Sequence, residues 1–536
     1  MLLVLFILIG IILFQMFKTR SLSDNAKKEK QEHQKSIRQH RAKIDTLEQE
    51  KATLQKQADE YLREISRLKG TLKETERKLD FYKNIKESSG DLNVPSGTVH
   101  KGNEQLDPEQ SAICSEIENT HDNFFITGKA GTGKSYLLDS FKKITKKSFI
   151  VLAPTGIAAL NVGGTTLHSA FGYYNLVNLD IDDISDKSIR LKSEKQLALY
   201  HVSTIIIDEI SMVRADIFDK LDRILKVISG NDSPFGGKQI LLFGDLFQLP
   251  PVVQSKEREY LYDRYGGIHF FYAEAYKRAD FHFRELTVNH RQKEDAEFFG
   301  LLNRVRDGSV TSEDIETLNA KIVQSSSVYD RFTTLLPTRA EVERLNQNHI
   351  RQLDSKEYTY HATITFDKFP DKKHSLEALF PIVSTLRLKK GVLVMMVAND
   401  PEHRWVNGTL GIVSELSNGS ISVAINRYIY DIQPIEFSEQ EVTYKNGKLT
   451  YENILTVTQY PIVPAYAITI HKSQGQTYQN IICDIDKCFA DGQAYVALSR
   501  CSSLDGLHLT RQISQANIRV DRNILDFYHK GISQNS

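Results

Sequence analysis

The chain has 536 residues, too many for one ordinary domain, and its hydrophobic and charged fractions of 40% and 25% are those of a globular protein. Lysine and arginine together number 68, as do aspartate and glutamate, so overall charge argues neither for nor against a polyanionic partner. A nucleic-acid surface would have to be a local patch. The four cysteines are too few for a disulfide framework and match no common zinc spacing, which favours buried free thiols in a reducing compartment.

The chain begins with an apolar run over 2–17, in which Gln15 is the one polar side chain. A helix over this run would rise about 24 Å, slightly short of a bilayer core of about 30 Å. The basic residues Lys18 and Arg20 follow and favour the cytoplasmic side. We therefore predict a membrane anchor over 1–20, with the N-terminus outside and the rest of the chain at the cytoplasmic face. A cleaved signal peptide, or an incorrect start site in a cytoplasmic protein, is the alternative.

The segment 21–87 is charged and contains no proline. Its apolar residues recur every seven positions in two sets that keep register, which is typical of a coiled-coil seam. Polar residues interrupt both sets, so a single charged helix that is exposed on all sides is the alternative. We predict a coiled coil that could join two copies of the chain, followed by a flexible linker over 88–104. The two sets are Ile37, Ile44, Lys51, Ala58, Ile65, Leu72, Leu79 and His40, Leu47, Leu54, Tyr61, Leu68, Thr75, Tyr82.

After the linker, apolar runs that are typical of buried strands alternate with helical patterns. They are NFFIT, SFIVLAP, STIIIDE and QILLFGD. Buried strands separated by helices predict a parallel α/β sheet. The stretch 406–460 differs, because it has short alternating runs and the turn dipeptides Asn418-Gly419 and Asn446-Gly447. It predicts a small antiparallel β module inserted in the chain.

The stretch FITGKAGTGKS, which ends at Ser135, has the spacing of a phosphate-binding loop. Its glycines let backbone amides turn toward phosphate oxygens, Lys134 would reach the β- and γ-phosphates, and the Ser135 hydroxyl would hold Mg²⁺. A strand pattern precedes the loop and a helix pattern follows it, as such loops require. The predicted nucleotide-binding residues of the loop are Gly128, Lys129, Ala130, Gly131, Thr132, Gly133, Lys134 and Ser135.

A second apolar run, TIIIDEIS, includes Asp208 and Glu209 at its polar end. The Asp208 carboxylate would hold Mg²⁺ through water, and Glu209 would orient and deprotonate the attacking water. Without a phosphate loop, two solvated carboxylates at a strand end would be an equally good interpretation. The stretch LLFGDLFQLPPV adds Gln248, which would report on the γ-phosphate, although an ordinary strand and turn also explains this stretch.

Two arginines, Arg291 in VNHRQ and Arg500 in AYVALSR, complete the candidate catalytic set. An arginine from a second domain that closes on the γ-phosphate stabilises charge in the transition state. Taken alone, each arginine would be an ordinary surface residue. Their interpretation therefore depends on the other motifs.

Two clusters combine small residues with hydroxyls, amides and lysine: APTGIAALNVGGTTLHS and TIHKSQGQT. Small residues let a sugar-phosphate chain approach the backbone, and the polar groups can bind phosphates without reading bases. Ordinary glycine-rich loops between strand and helix are the alternative. The stretch STLRLKKG adds Arg387, Lys389 and Lys390, for which a solvated charge run is an equally good interpretation.

The order of these motifs resembles that of the petite-integration-frequency (PIF) helicases of superfamily one, close to the RecD type. The likeness covers about residues 104–524, and the stretch after Glu209 resembles the signature that separates this family from more distant relatives. The anchor and the coiled coil lie outside it. In chain order the motifs are LDPEQ, GKAGTGKS, APTGIAALNVGGTTLHSAF, IIIDEISMVRADIFDKLDRI, LFGDLFQLPPV, NHRQ, AITIHKSQGQT and AYVALSRCSSLDGL.

The resemblance implies an α/β fold with two RecA-like parallel-sheet domains and a small inserted β-barrel similar to domain 2B, here preceded by the apolar helix and the coiled coil. We expect the first domain over 105–283, the second over 284–405 and 461–536, and the insertion over 406–460. The resemblance also implies that ATP and Mg²⁺ bind in the cleft between the RecA-like domains.

By the same resemblance, Gln110 reads adenine, and the catalytic residues are Lys134, Asp208, Glu209, Gln248, Arg291 and Arg500. The residues implied to lie on single-stranded DNA are Thr155, His168, His471, Lys472, Ser473, Gln474 and Thr477. The implied activity is ATP-dependent movement along single-stranded DNA, usually 5′ to 3′, with separation of duplex junctions in repair, recombination or replication. A membrane-tethered NTPase switch or scaffold without unwinding activity is the alternative, which stimulation of ATP hydrolysis by single-stranded DNA would exclude.

Overall fold

The computed structural model describes most of the chain after residue 105 and a smaller part before it. Contacts divide the chain into two compact units, Met1–Glu104 and Gln105–Ser536. The described residues are 5, 7–20, 35, 41, 43, 106–185, 187–288, 295–324, 328–329, 331–366, 376–445 and 447–535.

In the first unit, residues 5 and 7–20 are helical and exposed. Among the described residues, no helix combines the length and the apolar character needed to cross a membrane. The structure therefore does not support the membrane anchor predicted over 1–20 through residues 2–17.

The coiled coil predicted over 21–87 falls almost wholly outside the described residues. Residues 35, 41 and 43 are helical and exposed, which fits both a coiled coil and a single charged helix. All the seam positions, and the linker over 88–104, lie outside the described residues. The pairing of two copies of the chain therefore stays a prediction.

The second unit contains helices of four to fifteen residues. Short turns of 3₁₀ or π helix lie at Tyr174–Asn178, Ile210–Met212, Pro234–Gly237, Phe270–Tyr272 and Gln515–Asn517. The α-helices are α1 (Pro108–Asn119), α2 (Lys134–Ile144), α3 (Gly156–Val162), α4 (Leu167–Phe171), α5 (Ser193–His201), α6 (Ala215–Ser229), α7 (Ser255–Tyr265), α8 (Glu274–Arg278), α9 (Ala296–Asp307), α10 (Ser312–Asn319), α11 (Arg339–Gln352), α12 (Leu376–Leu379), α13 (Gln493–Leu498) and α14 (Arg522–Asn535).

The strands of the second unit alternate with helices up to β7, and most of the later strands follow one another directly. They are β1 (Asn123–Gly128), β2 (Phe149–Ala153), β3 (Thr165–Thr166), β4 (Thr204–Ile207), β5 (Gln239–Phe243), β6 (Phe281–Leu286), β7 (Thr334–Leu336), β8 (Glu357–His361), β9 (Thr363–Phe366), β10 (Thr385–Lys389), β11 (Leu393–Met396), β12 (Leu410–Leu416), β13 (Ile421–Ile425), β14 (Tyr428–Ile432), β15 (Ile435–Lys445), β16 (Lys448–Gln459), β17 (Ile462–Pro464), β18 (Ala467–Thr469), β19 (Ile481–Cys483) and β20 (Leu507–Leu509).

A six-stranded sheet has the order β3-β2-β4-β5-β1-β6, and every neighbouring pair in it is parallel. Strands β4 and β5 are buried along their whole length, as expected when helices cover both faces of a sheet. The carboxyl ends of parallel strands meet at one edge, so Gly128, Asp208 and Asp245 lie at the same edge. This is the edge at which open α/β sheets bind ligands.

A four-stranded parallel sheet has the order β18-β7-β19-β20. Helix α13 lies between β19 and β20 in the chain, and the polar turn over 470–477 follows β18 directly. The C-terminal helix α14 packs against β6 of the six-stranded sheet, so it contacts the other half of the unit. The two sheets confirm the predicted α/β architecture with parallel strands.

The remaining strands form antiparallel sheets, β14-β13-β12-β11-β17, β15-β16-β9 and β10-β8. Within the stretch 406–460, β12 pairs with β11 and β16 pairs with β9, and both partners precede the stretch. Gly447, between β15 and β16, has a φ of 77°, which tight hairpin turns require. The predicted domain boundaries, including that of the β-barrel insertion, stay a prediction.

Candidate functional site

The phosphate loop joins the end of β1 to the start of α2. Gly133, the residue before the helix, has a left-handed φ of 82°. Gly128 leaves no room for a side chain, because a Cβ there would lie 2.8 Å from the carbonyl oxygen of Leu286. The Lys134 ammonium donates to the carbonyl oxygens of Gly128 and Lys129 at 2.6 and 3.0 Å. The loop is thus folded around the lysine that would meet the phosphates.

Asp208 and Glu209 follow β4, at the same edge of the sheet as the phosphate loop. Glu209 has a φ of 50°, a strained conformation for a residue with a side chain. Burial raises the pKa of Asp208 to about 6. Burial and the charge of Asp208 raise the pKa of Glu209 to about 7, against the opposing charge of Lys134. A carboxylate with this pKa is suited to accept a proton from water near neutral pH.

The Asp245 carboxylate, just after β5, is fully buried. Its Oδ1 accepts a hydrogen bond from the Arg306 guanidinium at 3.0 Å, and its Oδ2 accepts one from the Tyr495 hydroxyl at 3.3 Å. The Gln248 amide nitrogen donates to the same Oδ2 at 3.5 Å. Burial alone would raise the pKa of Asp245, but the charges of Arg306 and Lys134 hold it below its ordinary value. The ionised Asp245 carboxylate therefore orients Gln248, the side chain predicted to sense the γ-phosphate.

Arg500 follows α13 and is 2% exposed. Its Nε donates to the carbonyl oxygen of Val496 at 2.9 Å, and its Nη1 lies 3.5 and 3.4 Å from the carbonyl oxygens of Ser473 and Gln476. Its charge lowers the pKa of Glu209, so the guanidinium lies within electrostatic reach of the candidate base. Arg500 therefore contacts the polar turn over 470–477, and its charge also favours the ionised form of Glu209 at the edge of the six-stranded sheet.

Gln110 lies in the first turn of α1 and is 2% exposed. Its backbone N–H donates to the Asp107 carboxylate at 2.8 Å, and its side-chain oxygen accepts from the Asp107 N–H at 3.4 Å. Its amide nitrogen Nε2 is buried and has no hydrogen-bond partner within the described part of the chain. A buried donor without a partner is costly, and an acceptor nitrogen of a purine ring would remove that cost.

The described residues contain no group of three or more side chains that could hold a metal ion by themselves. The hydroxyl-bearing Ser135 at the start of α2 is exposed, and Asp208 is a carboxylate just after β4, which β5 separates from β1 in the sheet. Cys114, Cys483, Cys488 and Cys501 are buried free thiols, as predicted, and the reducing compartment stays a prediction.

The residues predicted to lie on DNA in the six-stranded half are in and before two short helices. Thr155 precedes α3, and its hydroxyl accepts a hydrogen bond from the Ala158 N–H at 3.2 Å. His168 is in α4, with its ring centre 5.6 Å from that of Tyr173.

The other predicted DNA-binding residues form the turn after β18. Burial and the charge of Arg339 lower the pKa of both His471 and Lys472. Ser473 is fully buried, and its hydroxyl donates to the carbonyl oxygen of Ile470 at 2.7 Å. Gln474 has a buried amide nitrogen without a partner among the described residues. Thr477 is exposed.

A cavity of about 930 Å³ lies between α3, α11, the segment 381–387 and this turn. Its lining brings Asn161 of α3 together with Lys472 and Gln474 of the turn. The cavity thus joins both halves of the second unit. The other polar or charged side chains that line it include Arg339, Asn346, Arg351, Arg387, Asn399 and Asn407, with the acidic Glu343, Glu357 and Glu377.

Comparison with known proteins identifies the family. Residues 105–316 match the family described as PIF1-like helicase. Over 432 aligned residues the chain is 33% identical to the ATP-dependent DNA helicase Pif1 of Bdellovibrio bacteriovorus, and the match covers 79% of this chain and 92% of that protein. The chain belongs to the PIF1-like helicase family. The family predicted from the motifs is confirmed, and the chain is an ATP-hydrolysing enzyme.

Other members of the family match over a similar share of the chain. The ATP-dependent DNA helicase PIF1 of Xenopus laevis is 32% identical, with 80% of this chain and 64% of that protein covered. The crystal structure of Bacteroides sp. Pif1 in complex with ADP-AlF4 is 38% identical, covers 80% of this chain and 97% of that chain, and has a TM-score of 0.72. Bacteroides Pif1 bound to ssDNA has 37% identity, coverages of 80% and 98%, and a TM-score of 0.58.

The structure of this PIF1-like helicase brings most of the predicted residues toward two places and leaves some apart. Lys134, Asp208 and Glu209 interact at the sheet edge. Of the predicted DNA-binding residues, Lys472 and Gln474 line the cavity, whereas Thr155, His168, His471, Ser473 and Thr477 are not in its lining. Arg291 lies outside the described residues, so its position is untested.

Several residues of these two places were not singled out from the sequence. Arg306 and Tyr495 meet Asp245, and Arg339 and Asn346 line the cavity. A signal existed for Arg387, which the charged stretch STLRLKKG includes, and which does line the cavity. Its neighbour Lys389 instead donates to the carbonyl oxygen of Leu353 at 2.8 Å, and thus holds its own strand in place.

Proposed function

We propose that this PIF1-like helicase moves along single-stranded DNA in the 5′ to 3′ direction and separates duplex junctions, driven by ATP hydrolysis between the six-stranded and four-stranded sheets. The pathway would be repair, recombination or replication. Support comes from the family, from the sheet edge that brings Lys134 and Glu209 together, and from the large cavity that Lys472, Arg339 and Arg387 help to line. Two similar structures give further support, since one is Bacteroides Pif1 bound to ssDNA and the other is described as the structural basis for DNA unwinding at forked dsDNA by two coordinating Pif1 helicases.

One observation carries the coupling in this proposal, namely the position of Arg500. It lies beside the carbonyl oxygens of Ser473 and Gln476 in the cavity-lining turn, and its charge also acts on Glu209 in the cleft. A strand in the cavity that moves the turn would therefore move the arginine relative to the candidate base. Arg500 is therefore a group through which a strand in the cavity would act on ATP hydrolysis.

The residues of the cleft fit ATP and Mg²⁺. Gln110 offers an unpaired buried donor for adenine, and the loop up to Lys134 would surround the phosphates. Ser135 and Asp208 would hold Mg²⁺, which needs one or two protein oxygens beside those of the phosphates. When bound, Mg²⁺ would neutralise charge on the β- and γ-phosphate oxygens. Glu209 would orient the attacking water, and Gln248 and Arg500 would contact the γ-phosphate.

The direction of movement is tested with tailed duplexes of equal length. We expect ATP-dependent strand separation of a duplex with a 5′ single-stranded tail, and none of a duplex with a 3′ tail. Gel or fluorescence measurement of the released strand gives the rates, and a blunt duplex is the control. Equal or faster separation from the 3′ tail would overturn the direction, and no separation of any substrate would overturn the proposed function.

The cavity is tested by removing the lysine that the turn contributes. Lys472→Ala should weaken binding of an oligonucleotide, because a cation that faces phosphate is lost. The slope of log affinity against log salt should fall by about 0.7 for one phosphate contact on a single strand. Fluorescence anisotropy at several salt concentrations measures both quantities. The matched control is Lys277→Ala on α8, a half-exposed lysine outside the cavity lining that pairs with Glu274. An unchanged slope in Lys472→Ala would place the strand elsewhere.

A further inference from the structure

The Asp245 carboxylate is the point where elements from both halves of the second unit meet. It follows β5 of the six-stranded sheet, whereas Arg306 is in α9 and Tyr495 is in α13, which packs against α9. All three residues are buried. Oδ1 accepts from Arg306, and Oδ2 accepts from Tyr495. The carboxylate therefore fixes two side chains of the second half against a loop of the first.

Arg306 is held by contacts with two aromatic rings as well as by its charge. The guanidinium carbon lies 4.0 Å from the ring centre of Phe247 and 4.9 Å from that of Tyr528 in α14. Its Nε and Nη2 lie 3.2 and 3.0 Å from the same oxygen of Asp245. Two aromatic contacts and two donors thus hold the arginine in place, and its bonds to Asp245 hold that carboxylate with it.

The Tyr495 hydroxyl makes a second contact, with the phosphate loop itself. It accepts a hydrogen bond from the Ala130 N–H at 2.9 Å while it donates to Asp245. We call this connection, made by Ala130, Tyr495 and Asp245, the Tyr495 bridge. It is the link by which α13 touches a loop predicted to hold ATP.

The backbone before Tyr495 is fitted closely to the same region. Gly492, the residue before α13, has a φ of 71°, and a Cβ there would lie 2.3 Å from the carbonyl oxygen of Phe247 and 2.4 Å from that of Gln248. Only glycine permits this approach. Helix α13 is therefore placed directly on the loop that contains Asp245 and Gln248, and a shift of the helix cannot leave the Tyr495 bridge unchanged.

We propose that Tyr495, oriented by Asp245 and Arg306, is a positioning residue through which movement of the four-stranded half reaches the phosphate loop. The proposal deepens the proposed function and depends on it, because the movement is the one that a bound strand would cause.

The path runs from the polar turn to Arg500, which contacts the turn and donates to Val496 of α13. It continues along α13 to Tyr495 and ends at the Ala130 amide. A hydrogen bond is lost over less than an ångström of misplacement, so the bridge responds to small shifts.

The test is Tyr495→Phe in the full chain, which keeps the buried ring and removes only the hydroxyl. We expect the ratio of kcat for ATP with single-stranded DNA to kcat without it to fall by about tenfold, within the usual range of coupling between sites. The affinity for an oligonucleotide should stay within about twofold, since Tyr495 is not in the cavity lining. The matched control is Tyr460→Phe, which removes a buried hydroxyl that donates to Gly419 in the antiparallel part of the unit.

The outcomes distinguish the bridge from the proposed function. If the wild-type enzyme is not stimulated by DNA, the proposed function fails. If the wild type is stimulated and Tyr495→Phe is stimulated equally, the bridge fails while the function stands. Equal losses of basal and stimulated rates would show a structural role only, and would also overturn the proposal. Thermal unfolding of each variant shows whether the fold is retained.

A second variant tests whether the three side chains act together. Arg306→Lys keeps the charge but loses the planar contacts with the two rings, so Asp245 should no longer be held in place. The ratio of DNA-stimulated to basal kcat should therefore fall, as it does in Tyr495→Phe. In a double-mutant cycle, Tyr495→Phe combined with Arg306→Lys should lower the ratio little further than the larger single effect. Fully additive effects on the logarithm of the ratio would mean that Arg306 does not act through Tyr495, and would overturn that part of the proposal.

Discussion

Replacing Glu209 by glutamine is expected to lower ATP turnover by a factor of about a hundred to ten thousand, the range for loss of a general base. Glutamine has the same shape but cannot accept the proton of the attacking water. The phosphates should still be held by the loop and by Lys134, so ATP should bind with close to wild-type affinity. Steady-state ATP hydrolysis measures the first effect, and titration with a fluorescent ATP analogue measures the second.

The control for this variant is Glu274→Gln on α8, where a half-exposed glutamate pairs with Lys277 on the surface. It makes the same chemical change outside the cleft and should leave turnover unchanged. Wild-type turnover in Glu209→Gln would mean that another group activates the water. A loss of binding as well as turnover would mean that Glu209 shapes the loop and does not act as the base.

Arg500→Ala is expected to lower turnover on the order of a thousandfold, as loss of an arginine that contacts the γ-phosphate does. The contacts of Nη1 with the turn, at 3.5 and 3.4 Å, are long, whereas Nη2 donates to the Ser499 hydroxyl at 2.9 Å, so a contact with a phosphate would replace this shorter hydrogen bond. Arg500→Lys should recover only part of the activity, because lysine cannot donate in two directions from a plane. Turnover and ATP binding are measured as for Glu209→Gln.

The matched control for Arg500 is Arg511→Ala, which removes a half-exposed arginine that faces Asp486 on the surface. Thermal unfolding of both variants accounts for any loss of stability from the carbonyl groups that Arg500 leaves without a donor. A decrease of less than tenfold in Arg500→Ala would contradict its assignment as the transition-state arginine, whatever its effect on DNA binding.

The phosphate loop and the acidic pair Asp208 and Glu209 could be predicted because each motif consists of residues that are close together in the sequence. The spacing of Gly128, Gly133 and Lys134 is a local property, and the apolar run before Asp208 shows that a buried strand ends there. Parallel strands then place both motifs at one edge without further information. The geometry around Lys134 and Glu209 followed from these local facts.

The Tyr495 bridge could not be predicted in this way. Tyr495 is 250 positions from Asp245 and 365 positions from Ala130. The residues beside it in the sequence indicate only an ordinary buried helix. Arg306 likewise lies in a helix whose charged residues suggest a solvated face. Contacts between distant segments depend on how the two sheets pack, which no periodicity reports.

The antiparallel part shows a second kind of limit. The alternating runs over 406–460 correctly indicated strands, but such a pattern does not indicate with which other strand each one pairs. Strand β16 pairs with β9, about ninety positions earlier, and β12 pairs with β11, which precedes the stretch. The apolar run over 2–17 shows a third limit, since hydropathy alone predicted a membrane helix that the described residues do not support.

The central claim is that a strand in the cavity controls hydrolysis in the cleft. The most direct test is ATP turnover by the full chain, measured at one salt concentration with and without an excess of single-stranded DNA. We predict that DNA raises the wild-type rate by at least about tenfold. Lys134→Ala should be inactive with and without DNA, because the ammonium group that would meet the ATP phosphates is missing. A wild-type rate that is the same with and without DNA would contradict the account.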